Sequence, residues 1–198
     1  MPKLIKNIES RLIDELENMI FTEGQELTLR SLAERAGIAV GTIYNYFPDK
    51  DDLLKALFQR EWSNVIAEIV KELDSVEASR NDQIRKIVGM IYSLSEQVGR
   101  TLPQRKTLLG GCKEKGAFRL PSYPHRPEGW FWLREAFRPI WNRVFPDSNI
   151  DVDRLTIMVV SIVPRLIFLF PEQGEENMQF ITQLIQRGTK ENGAIDGR

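Results

Sequence analysis

In AGIAVGTIYNYFPDK, residues 36–50, no charged residue occurs between Ala36 and Pro48. A helix with one face in water normally solvates that face with charged side chains. The segment from Ala39 to Tyr46 offers Gly41, Thr42, Tyr44, Asn45 and Tyr46 instead. Such a face is suited to being covered by something other than water.

The residues just before it set up a second short helix. Thr28 can cap a helix whose inner face is Leu29, Leu32, Ala33 and Ala36, with Gly37 as its stop. Ala33 is small enough for the next helix to cross closely, Gly37 supplies a left-handed turn, and Ile43 returns to the core. This alanine, glycine, aliphatic spacing is that of a helix-turn-helix. In such a pair the second helix lies in the major groove of DNA, its N-terminal residues nearest the base edges. Gly41 allows close backbone approach, free N–H groups at the helix start attract a phosphate, and the hydroxyls of Thr42 and Tyr44 can bond phosphate oxygens. Asn45 is chemically suited to a bidentate contact with adenine.

TLRSLAERAGIAVGTIYNYFPDKDDLLKALF, residues 28–58, resembles the DNA-binding segment of the tetracycline-repressor (TetR) family. That family's pattern runs from Ile or Leu-Ala through Gly-Val-Ser, Gly-Thr-Leu-Tyr and Tyr/His-Phe to a lysine followed by Leu-Leu. The resemblance implies a dimeric repressor with an N-terminal three-helix DNA-binding domain, released from a palindromic operator by a small molecule. It further implies that Thr28, Arg30, Thr42, Tyr44, Tyr46 and Lys50 fall where the family touches phosphates or bases. Asn45 is the most variable of these positions and the place to look for sequence preference. Ala39 stands where the family usually has a capping serine.

Working outward, the whole chain reads as all-α. Leu4, Ile5, Ile8, Leu12, Ile13, Leu16, Met19 and Ile20 recur at three- and four-residue steps, giving an amphipathic first helix that ends near Gly24. After Pro48, Asp49 is placed as N-cap of a fourth helix, with Asp51 and Asp52 in its first turn. Its apolar stripe continues to Leu73, about 35 Å at ~1.5 Å per residue, long enough to link two domains. Further helical patterns lie near 80–98, 101–112, 128–145, 151–170 and 174–187, and a glycine- and proline-rich loop occupies most of 110–129. The expected organisation is a helix-turn-helix domain at 1–49 and a helical effector-binding and dimerisation domain at 50–198.

Composition narrows the function. With 42% hydrophobic and 28% charged residues the chain is a folded one rather than a disordered one. A single cysteine, Cys112, and a single histidine, His125, exclude an internal disulfide and are too few for a Cys/His zinc site. One histidine also prevents the paired Glu-x-x-His motifs of a di-iron bundle, and no phosphate-cradling GxxxxGK or GxGxxG is present. No cofactor is expected. An all-helical enzyme or a partner-binding module in the C-terminal half is the alternative. The N-terminus has no secretory h-region, and the longest apolar stretch, 155–170, falls short of the roughly 20 residues of a membrane span. The expectation is a cytoplasmic protein.

Charge cuts the other way. Residues 1–50 hold six basic against eight acidic residues, a net −2. A domain without a positive field binds DNA weakly through phosphates, so a shallow salt dependence is expected.

In the C-terminal half, Leu155–Phe170 is apolar on every side, which one modest domain struggles to bury. Pairing with a second copy solves this, through Met158, Ile162, Leu166 and Phe170 on one helix and Met178, Ile181, Leu184 and Ile185 on the last. Aromatics gather at Trp130, Phe137 and Trp141 beside the loop bearing Phe118, Tyr123 and His125. They read either as core or as the wall of a pocket for an apolar or aromatic effector. Arg165, set among apolar residues, needs a partner if buried: a carboxylate such as Glu135, or an anionic ligand.

Overall fold

The computed structural model describes residues 7–21, 28–75, 78–101, 127–146 and 149–190. Every regular element among them is a helix: α1 (Ile8–Phe21), α2 (Leu29–Ala36), α3 (Val40–Tyr46), α4 (Lys50–Ser75), α5 (Arg80–Thr101), α6 (Pro127–Val144), α7 (Val152–Leu169) and α8 (Gly174–Lys190). The chain divides into two compact units, and α4 is shared between them, its first part up to Glu61 in one and the part from Trp62 in the other. The helix expected at 101–112 and the loop residues 110–126 lie outside the described residues beyond Thr101.

The first unit is built on a dry core. Leu12, Leu16, Met19 and Ile20 of α1, Leu32, Ala33 and Ala36 of α2, Ile43 and Phe47 of the α3 segment, and Leu53, Leu54 and Leu57 of α4 form one buried cluster. The four helices contribute at the three- and four-residue spacing that puts apolar side chains on one face. Ala33 is 2% exposed and Ile43 1% exposed, so both have the inward places that the spacing predicts.

Local chemistry fixes the ends of these helices. Thr28 caps α2 with a reciprocal box: its hydroxyl oxygen accepts from the Ser31 backbone N–H at 3.0 Å, and the Thr28 N–H donates to the Ser31 hydroxyl oxygen at 3.0 Å. Gly37 ends α2 in the left-handed region, φ 62° and ψ 36°, while the Ile38 N–H returns to the Ala33 carbonyl at 3.0 Å. Glycine is required there by conformation, since an added Cβ would meet Arg11 only at an ordinary 3.7 Å. Ala39 begins α3 with no side-chain hydrogen bond at the cap. Asp49 accepts from the Asp52 N–H at 2.7 Å and starts α4.

In the second unit Trp62, Phe137, Trp141 and Phe145 form a run of ring contacts. Phe137 meets Trp141 at 6.3 Å between ring centres and Trp141 meets Phe145 at 6.3 Å, both nearly parallel, while Trp62 meets Phe137 edge-on at 5.9 Å. The Trp141 Nε1–H donates to Thr156 Oγ1 at 3.1 Å, which joins α6 to α7 and satisfies the buried indole. Pro139 and Pro164 lie inside α6 and α7, and both helices run on past them. Pro164 therefore does not divide the apolar stretch into two pieces.

Candidate nucleic-acid interface

The third helix presents the face that its composition promised. Tyr44 and Tyr46 are 49% and 41% exposed, Gly41 and Asn45 are exposed, Thr42 is half-buried, and the inward side of α3 is made by the buried Ile43 with Val40 packed partly buried on the same core. The side chains of Thr42, Tyr44, Asn45, Tyr46 and Lys50 form no hydrogen bond or ion pair with any described residue. Three hydroxyls and an amide on α3, and an ammonium group at the start of α4, are thus uncommitted among the described residues.

The other two residues of the expected interface are partly engaged. Arg30, on the first turn of α2, pairs with Glu34 one turn on at 3.2 Å, with both side chains well exposed. An exposed pair of this kind contributes little, so the guanidinium can exchange it for a phosphate. Thr28 uses its hydroxyl oxygen as the cap of α2.

The acids of α1 that made the net charge unfavourable are largely answered within the unit. Arg35 donates to Glu15 at 2.9 Å, and Arg60 of α4 binds both Asp14 and Glu17. Arg60 lies outside the stretch counted from sequence, and nothing local announces its pairing with residues 46 and 43 positions away. Arg11, Lys50 and Lys55 are left without an ion partner among the described residues.

Of the residues proposed for an effector site, Phe118, Tyr123 and His125 lie outside the described residues. Phe137 and Trp141 are fully buried in the stacked aromatic core, so the reading of them as core is the one the packing favours. Trp130 belongs to α6. Arg165 is exposed rather than buried, and so needs no partner to offset burial; Glu135 pairs with Arg138 at 3.0 Å instead.

The proposed contact surface between copies also separates into two sets. Ile181 and Ile185 are 1% and 2% exposed and belong to the chain's own core, which corrects their assignment to an interface. Phe170 and Leu184 are exposed, and Met158, Ile162, Leu166 and Met178 are half-buried. Ile157, Phe168 and Leu169 on α7 and Phe180 on α8 are further exposed apolar residues. No helix among the described residues is long and apolar enough to cross a membrane.

This arrangement defines the class as a helix-turn-helix protein. Residues 12–57 match the family described as bacterial regulatory proteins, tetR family. An HTH-type transcriptional regulator of Staphylococcus aureus is 26% identical over 82% of this chain and 82% of its own. The chain spans only 26% to 43% of the length of other curated regulators that it matches. Among solved structures, the TetR family repressor AlkX from Dietzia sp. strain DQ12-45-1b, implicated in biodegradation of n-alkanes, is 17% identical with a TM-score of 0.66, covering 93% of this chain and 96% of that one. The regulator FadR from Bacillus subtilis, solved in complex with stearoyl-CoA, is 16% identical with a TM-score of 0.51, covering 87% and 97%. Residues 12–57 of this chain thus carry the DNA-binding region of the tetR family of bacterial regulatory proteins, and the chain as a whole shares the fold of the solved regulators.

Proposed function

We propose that the chain is a transcriptional repressor that binds a palindromic operator as a homodimer and leaves it when a small molecule binds its C-terminal domain. The observation that carries this reading is the uncommitted, uncharged and outward-facing side of α3. Hydroxyls and an amide with no partner among the described residues match the phosphates and base edges of a groove. Thr28, Arg30, Gly41, Thr42, Tyr44, Asn45 and Tyr46 make that contact from a DNA-binding domain at 1–49, with Lys50 just beyond it at the start of α4.

Homodimerisation is supported by the apolar residues that α7 and α8 leave exposed, with Phe168, Leu169 and Phe180 all more than half exposed. Apolar surface of this kind is stable in water when a second copy covers it, and two-fold pairing sets two recognition helices on a two-fold operator. The effector is read as apolar or aromatic, held by the domain at 50–198; the acyl-CoA complex of FadR and the n-alkane connection of AlkX concern related folds and agree with a greasy ligand. The repressor acts in the cytoplasm, without a cofactor and without an enzymatic step.

An electrophoretic shift with the DNA flanking the coding region tests the reading. A retarded band at nanomolar protein, abolished by an acyl-CoA or a similar apolar ligand, is the expected result. Failure to shift any fragment of that region would overturn it.

A further inference from the structure

We propose that Asn45 sets the base preference of the operator by reading an adenine, and that Gly41 is the residue that lets the helix come close enough for it to do so. The inference rests on the DNA-binding reading above and deepens it, naming the base and the pair of residues.

Neither backbone conformation nor packing among the described residues calls for glycine at position 41. Among the described glycines only Gly37 has a positive φ, so conformation does not require glycine at 41. A Cβ added there would meet nothing within 4 Å, so packing does not require it either. Glycine also weakens a helix relative to alanine. What remains is the bareness itself, turned toward the outside.

Gly41 and Asn45 stand one helical turn apart and share a face. Side chains on a helix lean toward its N-terminus, so the Asn45 amide lies over the turn that holds Gly41. Asparagine is short. Its amide reaches the floor of a major groove only when the helix backbone comes near, and a side chain at position 41 would hold the backbone away.

The chemistry of the same face selects the base. Guanine, with its two acceptors, is most often read by Arg or Lys, and neither occurs anywhere from Ala36 to Asp49. A planar amide carries one acceptor and two donors, which matches N7 and the N6 amino group of adenine. Asn45 is exposed and hydrogen-bonded to no described residue, so the whole amide is available. The hydroxyls of Thr42 and Tyr44 bond phosphates or any base and do not discriminate in this way.

Selection of binding sites from a randomised duplex library, with the wild type, Asn45→Ala and Gly41→Ala, tests the proposal. The wild type is expected to enrich a motif with a fixed A·T pair in each half-site. Asn45→Ala should lose preference at that pair alone, by roughly tenfold, and keep its preferences elsewhere. Gly41→Ala should melt no lower than the wild type and yet bind the enriched site at least about tenfold more weakly. Retention of every base preference by Asn45→Ala, or wild-type affinity in Gly41→Ala, would overturn the inference and leave the repressor reading intact. A library from which the wild type enriches nothing contradicts both.

Discussion

Thr28 and Ser31 cap α2 for each other, each hydroxyl oxygen accepting the other's backbone N–H at 3.0 Å. A residue proposed for DNA contact thus also holds the start of a helix next to α3. Thr28→Ala is expected to lower stability by about 1 kcal/mol, a few degrees in Tm, with Thr28→Ser close to wild type. Thermal denaturation followed by circular dichroism checks this. Unchanged stability in Thr28→Ala would restrict the residue to DNA contact alone.

Ala39 opens α3 without a side-chain hydrogen bond. A serine there can accept from the first turn, so Ala39→Ser should gain about 1 kcal/mol. The same melting experiment reads it. No rise in Tm would mean that the helix does not start where its cap geometry places it.

Glu61 offers a stability change tied to pH. Its Oε1 is buried and has no hydrogen-bond partner among the described residues. Burial pushes its carboxyl above the usual carboxylate range and the neighbouring Glu17 adds to this, while Arg60 opposes it. A folded-state value above the unfolded one means that the contribution is fully favourable below the usual carboxylate range and is lost as pH rises through the raised value. Glu61→Gln should therefore raise Tm at neutral pH, and the gain should shrink as the solution is acidified toward pH ~4. A gain independent of pH would point to a cause other than the carboxylate charge.

Phe137 lies between Trp62 and Trp141 with no exposed surface. Truncation to alanine in such a place costs about 3–5 kcal/mol. Chemical denaturation of Phe137→Ala should find a loss of that order. A loss under about 1 kcal/mol, together with altered effector response, would instead favour the pocket-wall reading.

How much of this was legible in the sequence depends on how local the cause is. The cap at Thr28, the left-handed Gly37 and the apolar positions of α1 to α4 act within one or two turns, and the pattern from 28 to 58 carried the family as well. Ser31 as the reciprocal cap partner went unread, because a hydroxyl three residues after Thr28 stands where the usual pattern has Glu or Gln. The role of Arg60 was not legible, because its partners Asp14 and Glu17 are more than 40 positions away. The faces of α8 were not either. Phe180 and Leu184 point out while Ile181 and Ile185 point in, and in a stripe this apolar hydrophobicity does not say which side meets the chain's own core.

The face of α3 as a DNA-reading surface is tested most directly by fluorescence anisotropy with the operator over a range of salt concentrations, for the wild type, Lys50→Ala and Tyr44→Phe. Nanomolar binding is expected for the wild type with a shallow salt slope, because few uncommitted cations face outward. Lys50→Ala should flatten that slope by about one unit per subunit, whereas Tyr44→Phe should weaken binding and leave the slope alone. Wild-type affinity and slope in both variants would contradict the account, since the exposed, unpartnered side of α3 would then lie away from the DNA.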